Sequence, residues 1–127
     1  MLVSAQNYEK AVEVAVQTAN STTVGDPQGE HRIGPIANKA QYEKILRMIE
    51  IGIEEGARLV AGGIEKPEGY EKGYYIKPTV FADVTNDMTI AKEEIFGPVL
   101  SIIKYENEDE AIAVSYTHLT LPTILLV

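Results

Sequence analysis

The residues best suited to chemistry in this sequence are two adjacent carboxylates that precede an aromatic residue and a Gly-Pro pair. Glu93 and Glu94 stand directly before residues 95–99, which read IFGPV. A carboxylate offers two acceptor oxygens for the paired hydroxyls of a ribose, and an aromatic face beside it can cover a flat heteroaromatic ring. A rigid turn that leads into a strand can present such a ligand site. The alternative is that both acids are solvated and that Phe96 belongs to the core.

A second candidate is the pair Gln41 and Lys44, which lie three residues apart in a segment with helical spacing. Side chains three apart project from nearly the same face of a helix, so an amide and an ammonium group could meet the ribose of a nucleotide there. The alternative is that both are ordinary surface residues that keep the helix soluble.

The sequence does not contain the residue patterns that other kinds of site require. The sequence has no cysteine, which excludes a disulfide scaffold, a thiolate zinc site and a cysteine nucleophile supplied by this chain. The two histidines, His31 and His118, have no helical partner histidine, so we predict no metal site. No serine lies in a G-x-S-x-G context, and neighbours such as Glu93 and Glu94 rarely flank one glycosidic bond. No catalytic residue is therefore predicted in the chain.

The length and the net charge of the chain limit the functions that remain possible. The chain has 127 residues, one domain at most, with 11 basic and 19 acidic side chains and a formal net charge of -8. An acidic chain repels phosphate backbones, so nucleic acid is not an expected partner. No apolar run approaches the roughly 18 residues that span a membrane, and no secretion leader stands out, so we expect a cytoplasmic protein without a membrane partner.

The helices that must position the candidate residues follow from hydrophobic periodicity. Apolar side chains at helical spacing predict one helix over Tyr8–Ala19 and a second that begins after the capping residue Asn38 and ends at Gly56. Asn107 with Glu110 forms a similar capping pattern and predicts a third helix.

Short runs of aromatic and β-branched residues predict strands between these helices. The runs are Leu59-Val60, Tyr74–Ile76, Thr79–Phe81 and Val99–Tyr105, of which the last is the strongest. Pro78 lacks a backbone donor, which implies a sheet edge or a bend at that point. Helices that alternate with short apolar strands predict an α/β fold with a mainly parallel sheet and flanking helices.

Several motifs, in this order and at similar spacing, resemble the aldehyde dehydrogenase family. They are VGDP at 24–27, IGP at 33–35, EGARL at 55–59, GG at 62–63, PTV at 78–80 and EEIFGPV at 93–99, the last being the most specific. The resemblance covers residues 1–114 and implies the truncated C-terminal part of the family's catalytic domain. Residues 115–127 carry no formal charge, depart from the family pattern and look like frame-shifted or adapter-derived translation.

The resemblance implies NAD- or NADP-dependent oxidation of an aldehyde to a carboxylic acid, in which a cysteine thiolate forms a thiohemiacetal. Because this chain has no cysteine, the resemblance implies that the nucleophile, the general base and the dinucleotide-binding domain precede residue 1, and that the isolated chain is inactive. An aldehyde substrate and assembly into a homo-oligomer are also implied.

The same resemblance assigns roles to four residues. Glu94 is expected to bind the hydroxyls of the nicotinamide ribose and Phe96 to contact the nicotinamide ring, while Gln41 and Lys44 are expected to approach the other ribose. A second hypothesis remains open from the residues alone: a noncatalytic acidic α/β module that pairs with another chain. Nucleotide binding that depends on Glu94 and Phe96 distinguishes the two, because the module hypothesis predicts none.

Overall fold

The computed structural model describes residues 1–118, and that part of the chain contains four α-helices and five strands. In chain order they are β1 (Leu2–Ser4), α1 (Tyr8–Ser21), α2 (Lys39–Glu54), β2 (Arg58–Ala61), β3 (Thr79–Ala82), α3 (Thr89–Lys92), β4 (Val99–Ser101), β5 (Ile103–Tyr105) and α4 (Glu108–His118). The predicted α/β fold class is confirmed. The predicted non-family tail, residues 115–127, lies mostly outside the described residues.

The capping residues predicted from the sequence begin two of the helices. The Asn38 side chain accepts a hydrogen bond from the Gln41 amide at 2.8 Å at the start of α2, and Asn107 accepts one from the Glu110 amide at 2.9 Å at the start of α4. Each bond satisfies a donor that the first turn of a helix leaves unpaired. Beyond α2, Gly56 has a φ of 97°, a left-handed conformation that glycine adopts without strain and that ends the helix.

Two of the three strand pairings are parallel, as the sequence predicted. β3 pairs with β2 in antiparallel and with β4 in parallel orientation, while β1 pairs with β5 in parallel. The Ile102 amide donates to Phe81 O in β3 at 2.8 Å, whereas the next amide, Ile103, donates to Met1 O at 2.9 Å. Successive amides of an extended chain point to opposite edges. The segment that holds β4 and β5 therefore lies between β3 and β1.

Two of the strand predictions are wrong in detail. Residues Tyr74–Ile76 form no strand; Gly73 turns the chain with a φ of 93°, and Tyr74 O accepts a hydrogen bond from the Ile36 amide instead of from a strand neighbour. The run Val99–Tyr105 is divided at Ile102 because its two halves pair with different strands.

Of the two alternatives predicted at Pro78, a sheet edge or a bend, the sheet edge is wrong for the strand that follows it. Pro78 stands just before β3, and the first residue of that strand, Thr79, donates its amide to Pro98 O at 2.8 Å. β3 lies in the middle of the order β2-β3-β4. The proline is tolerated there because it precedes the ladder and removes no hydrogen bond from it.

The side chains of β3 divide the core between two helices. Phe81 joins the larger cluster of buried residues, which includes Tyr42, Ile45 and Ile49 of α2. Val80 and Ala82 join the smaller cluster with residues of α1. Since successive side chains of a strand point to opposite faces, α1 and α2 cover opposite faces of β3. This layered arrangement places α2 beneath the segment that leads from α3 to β4.

The one-turn helix α3, which the sequence analysis did not predict, is held by a residue from the end of α2. Glu55 Oε2 accepts a hydrogen bond from the Thr89 amide at 2.8 Å, and Glu55 Oε1 accepts one from the Thr89 hydroxyl. The hydroxyl bond and then the amide bond favour the charged carboxylate and lower the pKa of Glu55. Glu55 thereby fixes the start of the element that precedes the candidate site.

Glu55→Gln is expected to lower stability at neutral pH and to flatten its dependence on pH. A carboxyl group whose pKa is lower in the folded state stabilises the fold above its unfolded pKa, and this contribution is lost as pH falls through the folded pKa. The parent chain should therefore lose stability more steeply than Glu55→Gln between about pH 5 and pH 3. Urea unfolding midpoints measure this, with Glu54→Gln as the control at an exposed neighbour. Parallel profiles for the parent and Glu55→Gln would contradict it.

Candidate functional site

Residues 93–99 connect α3 to β4 and are fixed to α2 at two points. Gln41 Nε2 donates a hydrogen bond to Phe96 O at 3.1 Å. Gly97 packs so closely on α2 that a Cβ atom there would lie 2.7 Å from Ile45 Cδ1. Because Ile45 is fully buried and has little room to move, a larger residue at position 97 would force a shift in the core.

Two tight turns give this loop its shape. The Gly97 amide donates to Ile95 O and the Val99 amide donates to Gly97 O, both at 2.8 Å, which are three-residue turns centred on Phe96 and Pro98. Ile95 packs against the larger core cluster, so its neighbours face outward. The Phe96 side chain is 66% exposed, and the alternative that this ring belongs to the core is therefore wrong.

Glu94 lies at the rim of a concave surface. Its side chain is exposed and lines a cleft of about 270 Å³ between α3, the loop and the strands. Residues from α3, the loop and β4 form the walls, among them Ile90, Val99 and Ser101. The carboxylate thus has open space in front of it, as a ligand contact requires.

The structure places the two residues of the second candidate pair in different surroundings. Gln41 is half-buried and its amide nitrogen is engaged by Phe96 O, which leaves its oxygen available. Lys44, one turn further along α2, is exposed and forms no ion pair with another residue of the range 1–118. The structure therefore brings Gln41 to the loop, and it leaves Lys44 accessible on the helix surface.

An apolar groove of about 800 Å³ borders the loop, and the sequence analysis did not identify it. It runs between α1 and the β3-β4 region, and Ala11, Val14 and Leu100 are among its lining residues. Val14 is 48% exposed although it lies in an amphipathic helix. Val14 is an apolar residue outside the buried face of α1, and this position was the signal in the sequence that could have indicated the groove. A surface of this composition suits coverage by other apolar groups better than catalysis.

Among residues 1–118, no three His, Asp or Glu side chains are grouped so as to hold a metal ion. No helix in that range has the length and apolarity needed to cross a membrane. His31 lies instead beside a tyrosine, with its Nε2 at 3.4 Å from Tyr70 Oη.

Comparison with known proteins gives consistent matches. A sequence model of the aldehyde dehydrogenase family matches residues 1–116. Betaine aldehyde dehydrogenase of Brucella anthropi is 50% identical over 107 residues, which cover 83% of this chain and 22% of that protein.

Solved structures agree with the sequence matches. A mutant of aldehyde dehydrogenase C from Pseudomonas syringae, in complex with NAD+ and octanal, shares 48% identity at a TM-score of 0.89, over 92% of this chain and 24% of that one. The aldehyde dehydrogenase of Mycobacterium tuberculosis in complex with NAD+ shares 47% identity at a TM-score of 0.86, over 90% of this chain and 24% of that one.

These matches confirm the resemblance seen in the motifs. The chain spans only 22% to 24% of the length of these three relatives, so it corresponds to a fragment of them. The family match nevertheless extends over nearly all of the described residues. The chain therefore belongs to the aldehyde dehydrogenase family.

Proposed function

We propose that this chain forms one wall of the nucleotide site of an NAD- or NADP-dependent aldehyde dehydrogenase, which oxidises aldehydes to carboxylic acids. The observation that carries this proposal is the loop at 93–99, which is docked on α2 and presents an exposed phenyl ring and an exposed carboxylate. The relatives from Pseudomonas syringae and Mycobacterium tuberculosis, whose fold this chain shares, contain NAD+.

The chemistry of the loop fits the nicotinamide half of a dinucleotide. The two oxygens of Glu94, at the rim of its cleft, can accept hydrogen bonds from both hydroxyls of a ribose. The outward ring of Phe96 offers a flat apolar face for an aromatic ring. Because both groups belong to one short loop, they can act on neighbouring parts of the same ligand.

In the proposed reaction, the side chains of this loop bind the nucleotide and orient it. When bound, the nicotinamide ring supplies the acceptor for hydride. Glu94 holds the adjoining ribose in place, and Phe96 limits the movement of the ring and keeps water from one of its faces. Such positioning lowers the barrier because the reacting groups no longer lose orientational freedom in the transition state.

The chain does not supply the nucleophile of this reaction, because it contains no cysteine. We propose that the cysteine which forms the thiohemiacetal belongs to another part of the family polypeptide. The 127-residue chain should then show no turnover of a simple aldehyde with NAD+.

We also propose that the family domain ends near residue 114 and that residues 115–127 do not belong to it. The family match ends at residue 116, and residues 115–127 carry no formally charged side chain. Removal of this segment should leave the fold of residues 1–105 unchanged in a two-dimensional amide NMR spectrum, whereas α4, which extends to His118, becomes shorter.

Homo-oligomer formation is a further part of the proposal. The apolar groove beside α1 and the exposed side chains of Met1 and Val14 at its rim support it. Sedimentation velocity over a range of concentrations tests it, since a monomer at every concentration would contradict it.

Titration with NAD+ tests the proposed nucleotide site. We expect weak binding that Glu94→Gln weakens by about tenfold, because a ribose hydroxyl loses its charged acceptor. Glu93→Gln is the matched control, since it makes the same change one residue away. Isothermal calorimetry measures the affinities, and parallel titrations with NADP+ compare the two nucleotides.

Two results would contradict the proposal. Equal affinities for Glu93→Gln and Glu94→Gln would show that the Glu94 carboxylate does not contact the nucleotide. An absence of nucleotide binding in the parent chain and in both variants would favour the noncatalytic module.

A further inference from the structure

One hydrogen bond links the loop at 93–99 to a residue far away in the sequence. Gln41 and Phe96 are 55 positions apart, and Gln41 Nε2 donates to Phe96 O at 3.1 Å. A carbonyl oxygen can only accept, so the nitrogen end of the Gln41 amide must face it. Among residues 1–118 no group donates a hydrogen bond to the oxygen end of Gln41, which can therefore accept one from a ligand.

We propose that Gln41 is a positioning residue, which orients the loop so that Glu94 and Phe96 face the nucleotide. This inference rests on the proposed function above. It assigns to Gln41 an action through the loop, in addition to any direct contact between its oxygen and a ribose.

Gln41 projects from a helix that is anchored at its start and along its buried face. Gln41 lies in the first turn of α2, where its backbone amide donates a hydrogen bond to the Asn38 side chain at 2.8 Å. Ile45 and Ile49, further along the same helix, are fully buried. The helix that carries the Gln41 side chain is therefore held by both a cap and the core.

The bonded carbonyl belongs to the residue whose ring is exposed. Phe96 is the central residue of a three-residue turn, so the direction of its carbonyl and the direction of its ring are set together. Without the Gln41 donor, the loop retains the contact between Gly97 and Ile45, but the peptide after Phe96 loses its polar anchor. The ring then samples more orientations, and a ligand must order it on binding, which lowers affinity.

Fluorine NMR can observe this loop separately from the core. The chain has two phenylalanines, Phe81 with 0% and Phe96 with 66% exposure. Labelling with 4-fluorophenylalanine therefore gives one core signal and one loop signal, which Phe96→Leu assigns. Gln41→Met removes the donor at similar length and without charge, while Gln41→Lys returns an N–H donor.

We expect the loop signal to move towards the position of free fluorophenylalanine and to narrow in Gln41→Met. In Gln41→Lys it should stay close to the parent, and the core signal of Phe81 should stay unchanged in every protein. The dissociation constant for NAD+ should rise about threefold to tenfold in Gln41→Met and less in Gln41→Lys.

Other results would overturn the positioning role of Gln41, the proposed function or both. A loop signal in Gln41→Met that equals the parent signal overturns the positioning role. If NAD+ binding depends on Glu94 but not on Gln41, the proposed function stands and the positioning role alone is overturned. If no protein binds NAD+, the proposed function and the positioning role both fail, even where the loop signal depends on Gln41. If Gln41→Met also moves the core signal, Gln41→Glu replaces it as the variant without a donor.

Discussion

Replacement of Phe81 by alanine is expected to lower the free energy of unfolding by about 3 to 5 kcal/mol. The ring is fully buried in the middle strand and packs in the larger core cluster beside α2. Its truncation removes apolar contacts and leaves a cavity that the surrounding strands and helix cannot fill. Because intact domains have a net stability of only about 5 to 15 kcal/mol, Phe81→Ala should be largely unfolded in mild urea. Far-UV circular dichroism during urea titration measures the loss.

Phe96→Ala is the matched comparison, because it removes the same atoms from an exposed position. With 66% of its side chain exposed, Phe96 should contribute less than about 0.5 kcal/mol to the free energy of unfolding. The same variant should weaken NAD+ binding through the loss of the aromatic face. Similar destabilisation by Phe81→Ala and Phe96→Ala would contradict the outward position of the loop ring.

Gly62→Ala should produce the second large loss of stability. Gly62 has a φ of 73°, and a Cβ atom there would lie 2.4 Å from Pro78 O and 2.7 Å from Thr79 Cα. The left-handed conformation alone costs an alanine about 1 to 2 kcal/mol. The contact with backbone atoms adds to this, since no side-chain rotation can relieve it, and we expect a total loss of about 3 kcal/mol or more.

Gly69→Ala separates the two causes of this loss. Gly69 has a similar φ of 83°, yet no atom lies within 4 Å of a Cβ atom built there. Gly69→Ala should therefore show the conformational cost alone, about 1 to 2 kcal/mol. Chemical unfolding of both variants gives the comparison, and equal losses would show that the close approach between position 62 and β3 is absent in solution.

The helices were predictable because their signals are local in the sequence. The caps at Asn38 and Asn107 and the glycine at position 56 act within one or two turns of the helix they limit. The predicted helix over Tyr8–Ala19 is confirmed as α1 with two further residues at its end. Hydrophobic periodicity defined the first two helices and a capping pattern defined the third, in each case without knowledge of the packing partners.

The errors occurred where distant residues decide the structure. α3 is capped by Glu55, which lies 34 positions earlier in the chain, and no local sequence pattern predicts that contact. The division of the last strand run at Ile102 depends on two different neighbours, β3 and β1. Propensity describes a residue and its near neighbours, whereas strand pairing depends on the whole topology.

The candidate site was predictable in its residues but not in its geometry. Glu94 and Phe96 were selected by residue type and by the family resemblance, and the structure places both at the surface. The spacing of Gln41 and Lys44 showed that they share a helix face, but it did not show that Phe96 O is the partner of Gln41. The direct ribose contacts of Gln41 and Lys44 stay predictions.

The pairing of β1 with β5 imposes a temporal order on the maturation of the protein. The Met1 amine donates to Ser101 O, which lies 100 positions later in the chain. While a ribosome makes the chain, α1, α2, β2 and β3 can associate early, whereas β1 must wait until β5 has been synthesised. Contacts between such distant segments form slowly because a long loop must close first. β1 therefore gains its strand partner only after most of the chain has been made.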